Sequence, residues 1–101
     1  MADEELDDYE STLELALVQE YKAVVGMFDF AIETDRRFYL ANDVAVDVKS
    51  SGTPTLLEVN LTDAWVWDMY RSARFVPSVR ILTFRDVNIE RLPKEDYSPK
   101  Q

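Results

Sequence analysis

Neither cysteine nor histidine occurs in this chain of 101 residues, and glycine occurs only twice. The first two absences remove thiolate nucleophiles, disulfides, zinc sites built on Cys or His, and imidazole general bases in one step. With Gly26 and Gly52 so far apart, no glycine-rich phosphate loop can form, and a Ser/His/Asp triad is excluded outright. The longest apolar runs are far shorter than the roughly 20 residues that a membrane span needs. The opening MADEELDDYE has no positive n-region and no apolar h-region, so no secretory signal is read there. A soluble, reduced, cytoplasmic protein without cofactor or metal is the expectation.

What is present suits one small globular domain. Hydrophobic residues make up 47% and charged ones 31%, enough for a single modest core at this length. The formal charge of −9 is unevenly placed. Residues 1–20 carry eight acids and no base, which leaves twelve acids against eleven bases in the remainder. Such an excess repels nucleic acid and anionic membrane, and it resides almost wholly in the N-terminal segment.

Leu6, Tyr9, Leu13, Leu17, Tyr21 and Val24 recur at spacings of three and four, which predicts a helix from about Asp3 to Val25 with Gly26 as its stop. Ser11-Thr12-Leu13-Glu14 also reads as a capping box, which would start the helix at Ser11 and leave residues 1–10 as a frayed acidic arm. After Gly26 the period becomes two. Phe28, Phe30 and Ile32 alternate with polar or small residues, a turn follows at Thr34–Arg37, and Phe38, Leu40, Val44, Val46 and Val48 share one parity across Asn42-Asp43. That second run is one strand with a kink or two short ones. Ser50–Pro54 is a loop, and Leu57, Val59 and Leu61 begin a strand that continues with Trp65, Trp67 and Met69 on the same parity. Arg71–Ser78 reads as a connection and Val79–Ile89 as a last strand. The expected fold is α+β: one N-terminal helix packed on a mostly antiparallel sheet of about five strands, residues 1–92, with 93–101 a disordered tail.

The segments EYKAVVGMFDFAIETDRRFYLAN (Glu20 to Asn42) and DAWVWDMYRSARFVPSVRILTFRDVNIE (Asp63 to Glu90) resemble a family of small actinobacterial proteins known as domain of unknown function 2469. The likeness, helix included, covers about nine tenths of the chain. It implies a cytoplasmic protein and carries no activity; the placement of the family's genes beside ribonuclease H-type and ribosomal functions implies a context in nucleic-acid metabolism.

Chemistry-bearing side chains concentrate in Asp63–Arg85. Trp65, Trp67, Tyr70, Arg71 and Arg74 form an aromatic and arginine face there, and Arg36 and Arg37 sit in the predicted turn. Rings beside guanidinium groups can dock a protein partner, because Trp, Tyr and Arg dominate interface energetics. They can also stack single-stranded nucleic acid at roughly 1–3 kcal/mol per base. The competing reading makes the tryptophans core aromatics and the arginines partners of Asp63, Asp68 or Asp86. From Thr34 to Arg85 seven bases face six acids, which is not the surplus of a dedicated nucleic-acid binder. The function expected is therefore non-enzymatic: an accessory protein that binds a protein or ribonucleoprotein partner. Three alternatives stand beside it: a single-stranded nucleic-acid binder, a homodimer joined by an exposed sheet face, and a small Mg-dependent nuclease. The last would use Asp35, Asp47 and Lys49 with Glu20 as a third acid, two carboxylates holding the ion and the lysine orienting water.

Overall fold

The computed structural model describes residues 2–93, with side chains described from Asp8 onward. The expected tail, apart from Pro93, lies outside the described residues. The architecture is α+β, as the periodicities predict. Helix α1 spans Ala2–Val24 and passes into a 3-10 turn at Val25–Met27. Ser11 lies inside the helix instead of capping its start, and the Thr12 hydroxyl donates back to the Asp8 carbonyl at 2.9 Å. Gly26 stands within the 3-10 turn without adopting a left-handed conformation. Leu17 and Val24 are buried, whereas Tyr9, assigned by spacing to the same stripe, is 59% exposed. The C-terminal half of α1 is thus the part seated on the sheet; each of its two buried aliphatic side chains stabilises the contact by about 1.5–3 kcal/mol.

Five strands follow: β1 Phe30–Glu33, β2 Phe38–Ser50, β3 Leu56–Val66, β4 Phe75–Thr83 and β5 Asn88–Arg91. They form one antiparallel sheet in the order β4-β3-β2-β1-β5. The expected last strand, Val79–Ile89, is in fact two strands at opposite edges of the sheet, and β4 begins already at Phe75, within the expected connection. Phe84–Val87 carries the chain from one edge to the other, and β4 and β5 both run in the direction of β2; a period-two pattern spread over both strands conceals the break.

This connection forces the sheet to curl. Thr83 is tied through Leu57 to Val48 of β2, whereas Asn88 is tied through Glu33 to Phe38 of the same strand. On a flat sheet those levels would lie ~33 Å apart along β2 and ~19 Å apart across four strand spacings. The chain from Thr83 to Asn88 reaches at most ~18 Å. The sheet therefore wraps on itself, and residues from both edges meet in one cluster. Ile32, Tyr39, Ala41, Val59, Leu61, Ala64 and Val66 are its buried members, with Val79 and Ile81 from β4 and Ile89 from β5 packed around them. The convex face carries the second cluster: Leu17, Val24, Phe28, Leu40 and Trp65 under the helix. Phe28, expected to alternate onto one face with Ile32, precedes β1 and goes to the helix side.

Wrapping is concentrated at a transverse crease. The ladders run from Asp43–Thr62 directly to Ala41–Ala64, and from Thr62–Ser78 directly to Ala64–Val76, passing over Asn42, Asp63 and Pro77. Each of the three strands changes there which parity faces inward: Ala41 gives way to Val44, Ala64 to Leu61, and Val76 to Val79, all in the inner cluster. Asp63 has a positive φ of 60°, Asn42 Nδ2 donates to its Oδ2 at 3.0 Å, and Pro77 has no N–H to leave unpaired. Sequence parity consequently misplaces two sets of residues. Phe38 and Leu40 face the helix while Val44 faces inward, and Trp65 lies on the opposite face from Val59 and Leu61. Asp63→Gly should be nearly neutral and Asp63→Val should cost about 1–2 kcal/mol in urea unfolding, because only the second places a β-branched residue in the left-handed region. Equal costs would show that the crease does not depend on that backbone conformation.

Candidate interaction site

The strand exit after β3 divides the predicted aromatic and arginine face into two parts. Trp65 is fully buried, and its indole N–H donates to Glu20 Oε1 of α1 at 3.1 Å. Arg74 Nε donates to the same oxygen, and its Nη1 donates to the Arg71 carbonyl at 2.6 Å. One carboxylate therefore joins the helix, the central tryptophan and the loop. Arg74 and Trp65 hold Glu20 below the ordinary carboxylate range: the Arg74 hydrogen bond is the largest influence, and burial opposes it. Trp67 is half-buried and meets Tyr21, Phe38 and Trp65 edge to face. Tyr70 is exposed, yet its hydroxyl donates to Glu10 Oε2 at 2.8 Å, which raises its pKa. Of the seven residues singled out in the sequence, Trp65 and Arg74 are internal braces, Trp67 packs beside them, and Tyr70 straps the loop to the helix.

Arg36, Arg37 and Arg71 end on the other side. Thr34 Oγ1 accepts from the backbone N–H groups of Arg36 and Arg37 at 3.2 and 3.0 Å, which fixes the β1–β2 turn. Arg37 pairs with Asp68 at 3.0 Å. Arg37, Asp68 and Arg71 share a depression of ≈ 240 Å³ with Tyr39, Val66 and Val76. Tyr39 is buried, and that burial raises its pKa against the opposing charge of Arg37. A larger groove of ≈ 700 Å³ adjoins it, between the Thr34–Arg37 turn and the end of β4, with Ile81, Phe84 and Arg85 along its far wall. Arg85 spans the two walls through Asp35 at 3.3 Å. Among the described residues Arg36 and Arg71 pair with no carboxylate.

Sequence reasoning missed Tyr39, Phe84 and Arg85 in this site. Phe84 and Arg85 close the Asp63–Arg85 stretch and Tyr39 follows Arg37 by two residues, but only the wrapped sheet brings the turn and the end of β4 together.

The carboxylates are distributed differently. Asp35 lies in the groove, while Asp47 and Lys49 project from the convex face, where Lys49 pairs with Asp47 at 3.8 Å and Glu58 at 3.3 Å. Arg80 also bonds Glu58, the largest of the influences that lower the Glu58 pKa. Glu20 is occupied by Trp65 and Arg74. No group of three or more carboxylates able to hold a metal occurs among the described residues, and no described helix is long and apolar enough to cross a membrane.

The model of a protein family of unknown function, DUF2469, matches residues 1–99. The chain belongs to this family. Uncharacterised proteins of Mycobacterium tuberculosis and Mycobacterium bovis are 51% identical to it over 96 residues, covering 95% of each chain. No solved structure matches. In this DUF2469 protein Glu20, Trp65 and Arg74 clamp the helix to the strand exit.

Glu20 has a folded pKa below its ordinary value of 4.5, so its stabilisation is complete above that value and is lost as pH falls through the folded one. Glu20→Gln should lower stability by about 1–2 kcal/mol at pH 7. It should also flatten the decline of the urea midpoint below pH 4.5 relative to the wild type. Parallel pH curves for the two proteins would contradict the clamp.

Proposed function

We propose that this protein is a cytoplasmic, non-enzymatic interaction protein that holds an acidic, apolar segment of a protein partner in the groove on its inner sheet face. The observation that carries the reading is the groove itself. Its wall and floor include Leu56, Ile81, Phe84 and the buried Tyr39, and Arg36, Arg37 and Arg85 stand around them. Apolar walls reward burial of side chains, and guanidinium groups at a rim reward carboxylates and speed encounter.

Charge selects among the occupants. Asp35 and Asp68 stand among the arginines, which disfavours a polyphosphate strand more than a peptide with scattered acids. Two copies meeting groove to groove would bring like-charged rims together. A protein partner, free or within a ribonucleoprotein, meets neither penalty.

The double variant Arg36→Glu, Arg71→Glu changes two side chains that brace no part of the core. Affinity-capture with the wild type should retain an acidic partner that the folded variant loses by at least about tenfold, equivalent to ~1.4 kcal/mol. The interaction of the isolated pair should weaken as salt rises. Equal retention by the variant, with its circular dichroism unchanged, would dismiss the groove as the partner site. Salt-dependent quenching of tryptophan by single-stranded RNA, without any captured protein, would move the reading to nucleic acid.

A further inference from the structure

The two outer strands of this sheet differ in how well they are protected. β5 is four residues long, and its Arg91 stacks over the Phe30 ring at 4.9 Å. Shortness and charge are how natural edges avoid extra pairing. β4 is nine residues long and among the described residues pairs with β3 alone, so about half of its backbone N–H and C=O groups point away from the sheet. Its one proline, Pro77, is spent at the crease. Its one charged residue, Arg80, turns back on the sheet to bond Glu58. From Ser78 to Thr83 the edge is therefore extended and free of proline, and its single charge, on Arg80, is paired with Glu58 although 62% of that side chain is exposed.

The groove lies against the end of this stretch, and the adjoining depression against its start. Five consecutive residues, Ile81 to Arg85, line it. Successive residues of a strand point to opposite faces, so a cavity that touches a continuous run at the strand's end is bordered by the strand's edge as well as by one face. The opposite wall is the Thr34–Arg37 turn, brought there by the wrapping of the sheet. The groove thus lies between the end of the β4 edge and the β1–β2 turn.

We propose that the occupant of this groove is an extended acidic segment of a protein partner, added to β4 as a sixth antiparallel or parallel strand. Its backbone bonds the free edge of Ser78–Thr83. Side chains on one of its faces pack on Ile81 and Phe84, and its carboxylates reach Arg36 and Arg85. Strand addition draws affinity from main-chain hydrogen bonds and specificity from alternate side chains, which matches an apolar wall interrupted by guanidinium groups. The inference rests on the partner reading above and adds the way in which the partner binds.

The experiment uses the full chain, isotopically labelled, with a short synthetic peptide that alternates glutamate and valine. Titration should slow amide exchange within Ser78–Thr83, and exchange in β5 should stay unchanged. N-methylation of the peptide at alternate backbone nitrogens, in whichever of the two registers faces β4, should weaken binding about tenfold for each hydrogen bond lost. Arg36→Ala and Arg85→Ala should each weaken it as well. Binding that needs the arginines yet ignores N-methylation in both registers and leaves β4 exchange unchanged would overturn strand addition while sparing the partner groove. Binding indifferent to the arginines, or no binding, would overturn both. Protection of β4 in the absence of peptide, with a doubled mass in light scattering, would assign the edge to a second copy and overturn the proposed occupant.

Discussion

Four residues, Phe84–Val87, join strands that occupy opposite edges of a five-stranded sheet. So short a link cannot cross a flat sheet, and most of the other features follow from that constraint. The sheet must wrap, so one face becomes an interior that no helix needs to cover. The crease at Asn42, Asp63 and Pro77 is where the strands take the strain, with a left-handed aspartate, a side-chain hydrogen bond and a missing amide at one level. Wrapping also brings the β1–β2 turn opposite the end of β4, and the groove lies between them.

The helix serves the other face. Its acidic character resembles an interaction arm in sequence, yet Glu20 accepts hydrogen bonds from Trp65 and Arg74 and Glu10 accepts one from Tyr70. Two aromatics and one arginine with the composition of a binding surface are thereby spent on internal bracing. Trp65 shows why the alternatives diverge: a buried indole needs a partner for its N–H, and a carboxylate on the facing helix supplies one that also anchors a guanidinium. The arginines that pair with no carboxylate among the described residues, Arg36 and Arg71, lie at the β1–β2 turn and the strand exit, on the side away from the helix.

Much of the fold was legible from residue order. The helix stripe through Leu17 and Val24, the Thr34–Arg37 turn, the kink at Asn42-Asp43 and the α+β class are local patterns with local causes. The errors share one origin. Parity was carried through Asn42 and Asp63 as though a strand kept its faces, which assigned Trp65 to the side of Val59 and Leu61. It was also carried from Val79 to Ile89 through the Phe84–Val87 connection, which separates two strands. A period-two pattern reports that a residue lies on one of two faces, and it is silent about a crease that exchanges them.

By itself the sequence determined the elements and excluded whole classes of chemistry, because hydrophobic period, turn residues and the lack of cysteine and histidine act within a few residues or across the entire chain. It also marked Arg36, Arg37 and Arg71 as side chains in connections, where solvent reaches them. Which arginines face a partner, which brace the helix, and that Tyr39, Phe84 and Arg85 complete the groove were decided only by tertiary structure. The reason is geometric: those residues are distant in sequence, and a short connection between far edges is what folds the sheet and brings them together.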